Sequence, residues 1–134
     1  MKIPGMEGLR VLIVDDEEGF ALTLAARLEL RGMRVTVAVN AEDGLSHLFQ
    51  CLPDLLLLDM RMPGLSGVEV LRRLRKEEIV PGGKRLPVII ITGHCAETER
   101  LDAEALGIQG YHTKPLDMDD LLTSIDAVIK EKGT

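Results

Sequence analysis

The chain has 134 residues, 46% apolar and 28% charged, with a formal net charge of -6. That length suits one domain with its own core, the composition excludes a disordered chain, and the acidic balance excludes a bare nucleic-acid-binding surface, which needs clustered positive charge. Cys51 and Cys95 form no C-x-x-C motif and no run approaches a membrane span, so the sequence reads as a soluble cytoplasmic protein with reduced thiols, no membrane association and no direct nucleic acid binding.

Residues 9–14, L-R-V-L-I-V, form a buried β-type run that ends in four acids, Asp15, Asp16, Glu17 and Glu18. Beyond them Phe20, Ala21, Leu24, Ala25 and Leu28 recur at helical spacing, and Gly32 is placed as a left-handed cap. Glu17 and Glu18 suit a first helical turn, where negative charge complements the helix dipole. Asp15 and Asp16 are harder to place. One can cap the helix, but two adjacent carboxylates repel unless a cation or a basic side chain lies between them. Residues 35–39 give a short strand of alternating β-branched residues, and Asn40 then caps a helix with Leu45, Leu48 and Phe49 on one face. His47 in that helix is a solvent-side residue without assigned chemistry.

Residues 54–67, D-L-L-L-L-D-M-R-M-P-G-L-S-G, carry an unbroken leucine run bounded by Pro53-Asp54 and Pro63-Gly64. Such a run reads as a strand buried on both faces of a parallel sheet, with Asp59 at its carboxyl end, where open α/β sheets bind ligands. Taken alone, Asp59 is equally a residue that closes a strand and caps a turn. Ser66 and Glu69 form an S-x-x-E capping box before a helix bearing Val70, Leu71 and Leu74, whose far end passes into a surface loop over residues 76–85. Residues 86–91, L-P-V-I-I-I, predict a fourth buried strand ending at Thr92-Gly93. The helix over residues 96–106 is rich in charge and weak in apolar pattern, so it is expected to be the most loosely packed and mobile of five. Gly107 ends it, residues 108–112 supply a fifth strand closed by Thr113-Lys114-Pro115, and Asp117 caps a last helix striped by Met118, Leu121, Leu122, Ile125, Val128 and Ile129. Five strands alternating with five helices predict a parallel sheet covered by helices on both faces.

The strand ends together deliver Asp15, Asp16, Asp59, Thr92 and Lys114. Three carboxylates suit a hard divalent ion such as Mg²⁺, while a lysine and a threonine hydroxyl opposite them suit anionic oxygens. A phosphoryl group fits between, and Asp59 is placed to attack phosphorus and form an acyl phosphate, with Lys114 and the ion stabilising the equatorial oxygens.

The paired acids Asp15-Asp16, the D-x-x-M-P-x-x-x-G pattern from Asp59 to Gly67, Thr92-Gly93 and Lys114-Pro115 stand in one order at successive strand ends. In this the chain resembles the receiver domain of a two-component response regulator, of the single-domain, chemotaxis-regulator-like kind, over residues 9–130 of a single domain 1–134. The resemblance implies an α/β flavodoxin-like three-layer sandwich, with a five-stranded sheet of order 2-1-3-4-5 and five helices. It further implies that Asp59 is the phosphoacceptor for a sensor histidine kinase or phosphotransfer protein. Asp16 and Asp59 would ligate Mg²⁺ directly, Asp15 through water, and Arg61 through its backbone carbonyl. Lys114 would pair with the phosphoryl oxygens, with a cis Lys114-Pro115 bond. Thr92 and Tyr111 become the switch pair that remodels the surface of the fourth helix, fifth strand and fifth helix for a downstream protein, an output domain or a phosphorylation-dependent dimer. Arg61 and His94 would flank the phosphoryl group and modulate its lifetime.

Other readings of the same residues stand beside these. A lone tyrosine on a terminal strand is often half-buried core, and Arg61 and His94 are equally solvated bystanders. An aspartate-nucleophile phosphatase would use the same acceptor but needs an acid two residues on, where this chain has Arg61. A flavin-binding domain of similar fold would want a hydroxyl-rich loop where this chain has D-D-E-E. Residue 130 is followed by no output segment in this sequence, which fits either a stand-alone receiver or one cut from a longer regulator.

Overall fold

A computed structural model of the chain describes residues 3–77 and 85–132. Ten elements alternate: β1 (Arg10–Val14), α1 (Glu18–Glu29), β2 (Arg34–Ala38), α2 (Ala41–Gln50), β3 (Leu55–Leu58), α3 (Gly67–Glu77), β4 (Val88–Thr92), α4 (Glu97–Leu106), β5 (Gly110–Thr113) and α5 (Met118–Lys132). The strands pair in parallel in the order β2-β1-β3-β4-β5. This is the parallel sheet that the alternating elements predict, in the flavodoxin-like order that the receiver-domain resemblance implies.

The period of a strand explains why four consecutive leucines are needed in β3. Leu56 and Leu58 face one core with Leu12, Val14, Val88, Ile90 and the inner sides of α2 and α3, where Ala103 of α4 joins them. Leu55 and Leu57 face the other, with Val11, Ile13, Ile89, Ile91 and the apolar stripes of α1 and α5. All four are essentially inaccessible. The chain before β1 also enters the second core. Met6 is buried there, and the Gly8 N–H bonds to the Gly32 carbonyl at 2.7 Å, tying this segment to the end of α1.

Several local expectations shift. Strand β2 runs one residue earlier than expected and β5 begins two residues later, because Gly107 turns the chain at φ 93° and Gln109 bonds to both polar groups of Val88 before pairing starts. Phe49 is not on the buried face of α2 but 51% exposed. The buried side of that helix is set by Ala41, Gly44, Leu45 and Leu48, and a residue one step beyond Leu48 lies about 100° round the axis. Helix α3 continues through Lys76 and Glu77, so the expected loop starts later, and residues 78–84 of it lie outside the described residues. Helix α4 buries only Ala103, as its charge-rich sequence suggests. Asn40 and Asp117 cap α2 and α5 through their side chains, and Ser66 Oγ accepts the Glu69 N–H at 3.3 Å. The Glu69 carboxylate instead meets Arg72 and Arg73. Among the described residues, no helix is long and apolar enough to cross a membrane.

Gly67 fixes how closely α3 approaches the end of β3. A Cβ there would lie 2.4 Å from the Asp59 carbonyl oxygen and 2.7 Å from the Met60 Cα, contacts that only backbone movement relieves. Gly67→Ala is therefore expected to lower unfolding free energy by about 1–3 kcal/mol in urea titration. Gly19→Ala, at an open helical position, should leave stability unchanged or raise it slightly.

Candidate functional site

Parallel pairing brings the ends of β1, β3, β4 and β5 to one edge of the sheet. Backbone bonds then hold the residues that follow the strands. The Asp15 N–H donates to the Ala38 carbonyl, that of Asp59 to Val14, and that of Lys114 to Thr92, all at 2.9–3.0 Å. The Lys114-Pro115 peptide bond is cis.

Asp15, Asp59 and Thr92 are the buried polar residues among those described, at 2%, 3% and 0% exposure. The two oxygens of Asp59 are used differently. Oδ1 accepts from the Thr92 hydroxyl at 2.8 Å and from the Arg61 backbone N–H at 3.2 Å. Oδ2 faces Lys114 Nζ at 3.7 Å, beyond hydrogen-bond distance. Asp15 accepts the Glu17 N–H on Oδ1 at 2.9 Å, and its Oδ2 lies 2.9 Å from Lys114 Nζ. The lysine also reaches Glu17 Oε1 at 2.5 Å and sits 4.4 Å from the centre of the Phe20 ring.

These contacts set the protonation of the group. Burial pushes the Asp15 carboxyl up to about 6, against the lowering pull of Lys114 and the Glu17 N–H, and the nearby Asp59 charge adds to the rise. Burial alone would lower the Lys114 ammonium, but Glu17 and Asp15 outweigh it and leave it above its ordinary value. Oxygens of Asp15, Glu17 and Asp59 all lie within 4.8 Å of one another. A compact set of carboxylate oxygens is the donor chemistry of a hard divalent cation; its two buried members, Asp15 and Asp59, fit Mg²⁺, while the exposed Glu17 carboxylate is turned to Lys114.

Sequence reasoning placed Asp16 in this set and assigned Glu17 to the helix dipole. In the structure Asp16 is exposed and outside the grouped oxygens. Glu17 is the N-cap residue of α1, makes no side-chain cap bond and turns its carboxylate to Lys114. The run of four acids was the available signal, but spacing alone does not say which acid turns inward.

The remaining predicted residues surround this centre. Arg61 and His94 have exposed side chains; Arg61 lines a groove of about 440 Å³ with Met60, Met62, Pro63, Ser66 and Glu99. Tyr111 is half-buried on β5, with the Arg100 guanidinium 4.6 Å above its ring. Burial and the neighbouring Cys95 thiol push its hydroxyl up to about 12, so it stays neutral. The contributions of Phe20, Cys95 and Arg100 were not legible from the sequence, since each depends on a distant element.

The family model described as "Response regulator receiver domain" matches residues 11–126. PilH of Pseudomonas aeruginosa is 39% identical over 90% of this chain and 97% of its own length. The uncharacterized transcriptional regulatory protein YkoG of Bacillus subtilis is 39% identical over 96% of this chain and 54% of its length, so the chain spans about half of that regulator. A response regulator receiver domain protein (CheY-like) from Methanospirillum hungatei JF-1 superposes with a TM-score of 0.85 at 28% identity, covering 95% of this chain and 98% of that one. A match that runs through all five strands, and a relative aligned along nearly its whole length, place the chain in the response regulator receiver domain family, the signalling modules of two-component systems.

Proposed function

We infer that the protein is a phosphorylation-driven switch in which Asp59 accepts a phosphoryl group from a phosphohistidine on a sensor histidine kinase or phosphotransfer protein. The observation that carries this reading is the unequal use of the Asp59 oxygens. Oδ1 is held by two donors, which fixes the carboxylate plane, while Oδ2 faces the ammonium without a hydrogen bond. Oδ2 attacks phosphorus, the P–N bond to the donor imidazole breaks, and its electron pair leaves on the imidazole nitrogen, which takes a proton. Lys114 is placed to hold an equatorial phosphoryl oxygen.

Asp15 and Asp59 belong to the grouped oxygens that would hold Mg²⁺, with Asp16 and the Arg61 carbonyl the further ligands the family resemblance implies. When bound, the ion would screen the negative charge that otherwise repels an incoming phosphoryl donor. Thr92 has one hydroxyl proton and two acceptors, Asp59 Oδ1 at 2.8 Å and the His94 carbonyl at 3.4 Å. A phosphoryl oxygen on Asp59 competes for that proton and draws the hydroxyl toward it. Tyr111 then turns inward, and the surface of α4, β5 and α5 changes for a downstream protein or output domain. Arg61 and His94 flank the acceptor and tune how long the group survives. The position where an aspartate-nucleophile phosphatase carries its acid is Arg61, so turnover as an enzyme is not the reading adopted.

Incubation with acetyl phosphate and Mg²⁺ should add one phosphoryl group by intact-protein mass, absent in Asp59→Asn and absent with chelator. No adduct under rapid quenching, together with no beryllofluoride binding, would sink the acceptor assignment. Mg²⁺ binding should also follow the Asp15 proton. Its folded pKa is raised, so the metal-free site holds the proton below about pH 6, and Mg²⁺ must displace it. Apparent affinity by calorimetry is therefore expected to fall about tenfold per pH unit below pH 6 and to level off above it.

A further inference from the structure

The acceptor reading leaves one strong contact unexplained. Lys114, the residue assigned to the phosphoryl oxygens, lies closest to Glu17, at 2.5 Å, next to Asp15, at 2.9 Å, and farthest from Asp59, at 3.7 Å. Glu17 has no structural need for this ion pair. Its side chain is 61% exposed and makes no cap bond to α1. The Phe20 ring, 4.4 Å from Nζ, supports the ammonium in the same place through its π face.

We propose that Glu17 is a positioning residue that holds the Lys114 ammonium away from the acceptor and so restrains phosphoryl capture at Asp59. The proposal rests on the acceptor reading and adds a restraint to it. An ammonium has three donor hydrogens in a compact head, and here Asp15 and Glu17 are its hydrogen-bonding carboxylates. A phosphoryl oxygen on Asp59 must draw Nζ away from Glu17 or share it. Because Glu17 is mostly exposed, solvent screens the pair, and its removal is worth a few-fold, not orders of magnitude.

The test is a comparison of wild type, Glu17→Gln, Glu18→Gln, Lys114→Ala and the double variant Glu17→Gln/Lys114→Ala, using beryllofluoride affinity and the rate of phosphorylation by acetyl phosphate, with Mg²⁺ affinity measured separately. Glu17→Gln is expected to bind beryllofluoride roughly two- to fivefold more tightly and to load faster by a similar factor, the scale of an exposed ion pair. Glu18→Gln removes the same charge one residue on and should change neither. The gain should vanish when Lys114 is also replaced. Unchanged or weaker binding in Glu17→Gln overturns the restraint while the acceptor reading stands, as does an equal gain in Glu18→Gln, which would reduce the effect to net charge. A loss of Mg²⁺ affinity in Glu17→Gln also overturns it, by making Glu17 a ligand. Absence of any adduct or beryllofluoride binding in wild type and variants alike removes the acceptor reading and the restraint with it.

Discussion

Two carboxylates buried side by side at the ends of β1 and β3 repel each other, and the ammonium of Lys114 is what makes that arrangement tenable. At the few-ångström separation of Asp15 and Asp59, and at the effective dielectric that suits protein sites, the repulsion is on the order of 3–4 kcal/mol. The attraction of Asp15 to Lys114 at 2.9 Å is larger by the ratio of the distances, so the cation wins. The cost of burial is still visible in the raised Asp15 pKa. The site keeps a net negative charge, which Lys114 offsets only while the end of β5 stays beside the ends of β1 and β3. The sheet order, the two-sided leucine strand and the close approach of α3 at Gly67 all serve that placement.

The same edge carries the residues that the proposed switch would use, and they differ in how firmly they are held. Thr92 is fully buried and its hydroxyl donates to Asp59 Oδ1, so a group added to Asp59 would compete for that bond. Tyr111, two strands from the acceptor, is half-buried between Cys95 and Arg100, and burial keeps its hydroxyl neutral. A neutral amphipathic ring can change its degree of burial without moving a charge through a low-dielectric region. Arg100 is itself tied to Glu104 at 3.0 Å, which couples the ring to the outer face of α4.

Much of this was legible because parallel sheets bury their central strands on both faces, and the apolar runs of β1, β3 and β4 therefore end abruptly where polar chemistry starts. Asp15, Asp59 and Thr92 stand out in the sequence for that reason. Glu17 did not, because an acid at the start of a helix already has a sufficient explanation in the helix dipole, and only the position of Lys114 shows that it does something else. Phe49 failed for a different reason. An apolar residue at the edge of a helical stripe can fall on either side of the buried boundary, and the neighbouring element decides. Met6 lay in a Gly- and Pro-containing stretch without periodicity, yet it fills the second core. Arg100 over Tyr111 joins α4 to β5 across a contact that no local pattern encodes.

Helix α4 is anchored unevenly along its length. Its own last turn carries no basic residue, so its exposed carbonyls are satisfied from outside. Arg75 of α3 donates to the carbonyls of Leu106 at 3.0 Å, Gly107 at 2.7 Å and Leu86 at 2.9 Å, and Arg85 reaches Leu106 as well. A guanidinium fork at a helix C-terminus satisfies orphan carbonyls and opposes the negative end of the dipole at once. At the other end Ala96 offers no side-chain cap, and the body of the helix buries little beyond Ala103. The restraints are thus concentrated far from Thr92 and sparse beside it. On the proposed reading, a displacement that began at the Thr92 hydroxyl would meet the weakly held end of α4 first, with the arginine clamp as its fixed point.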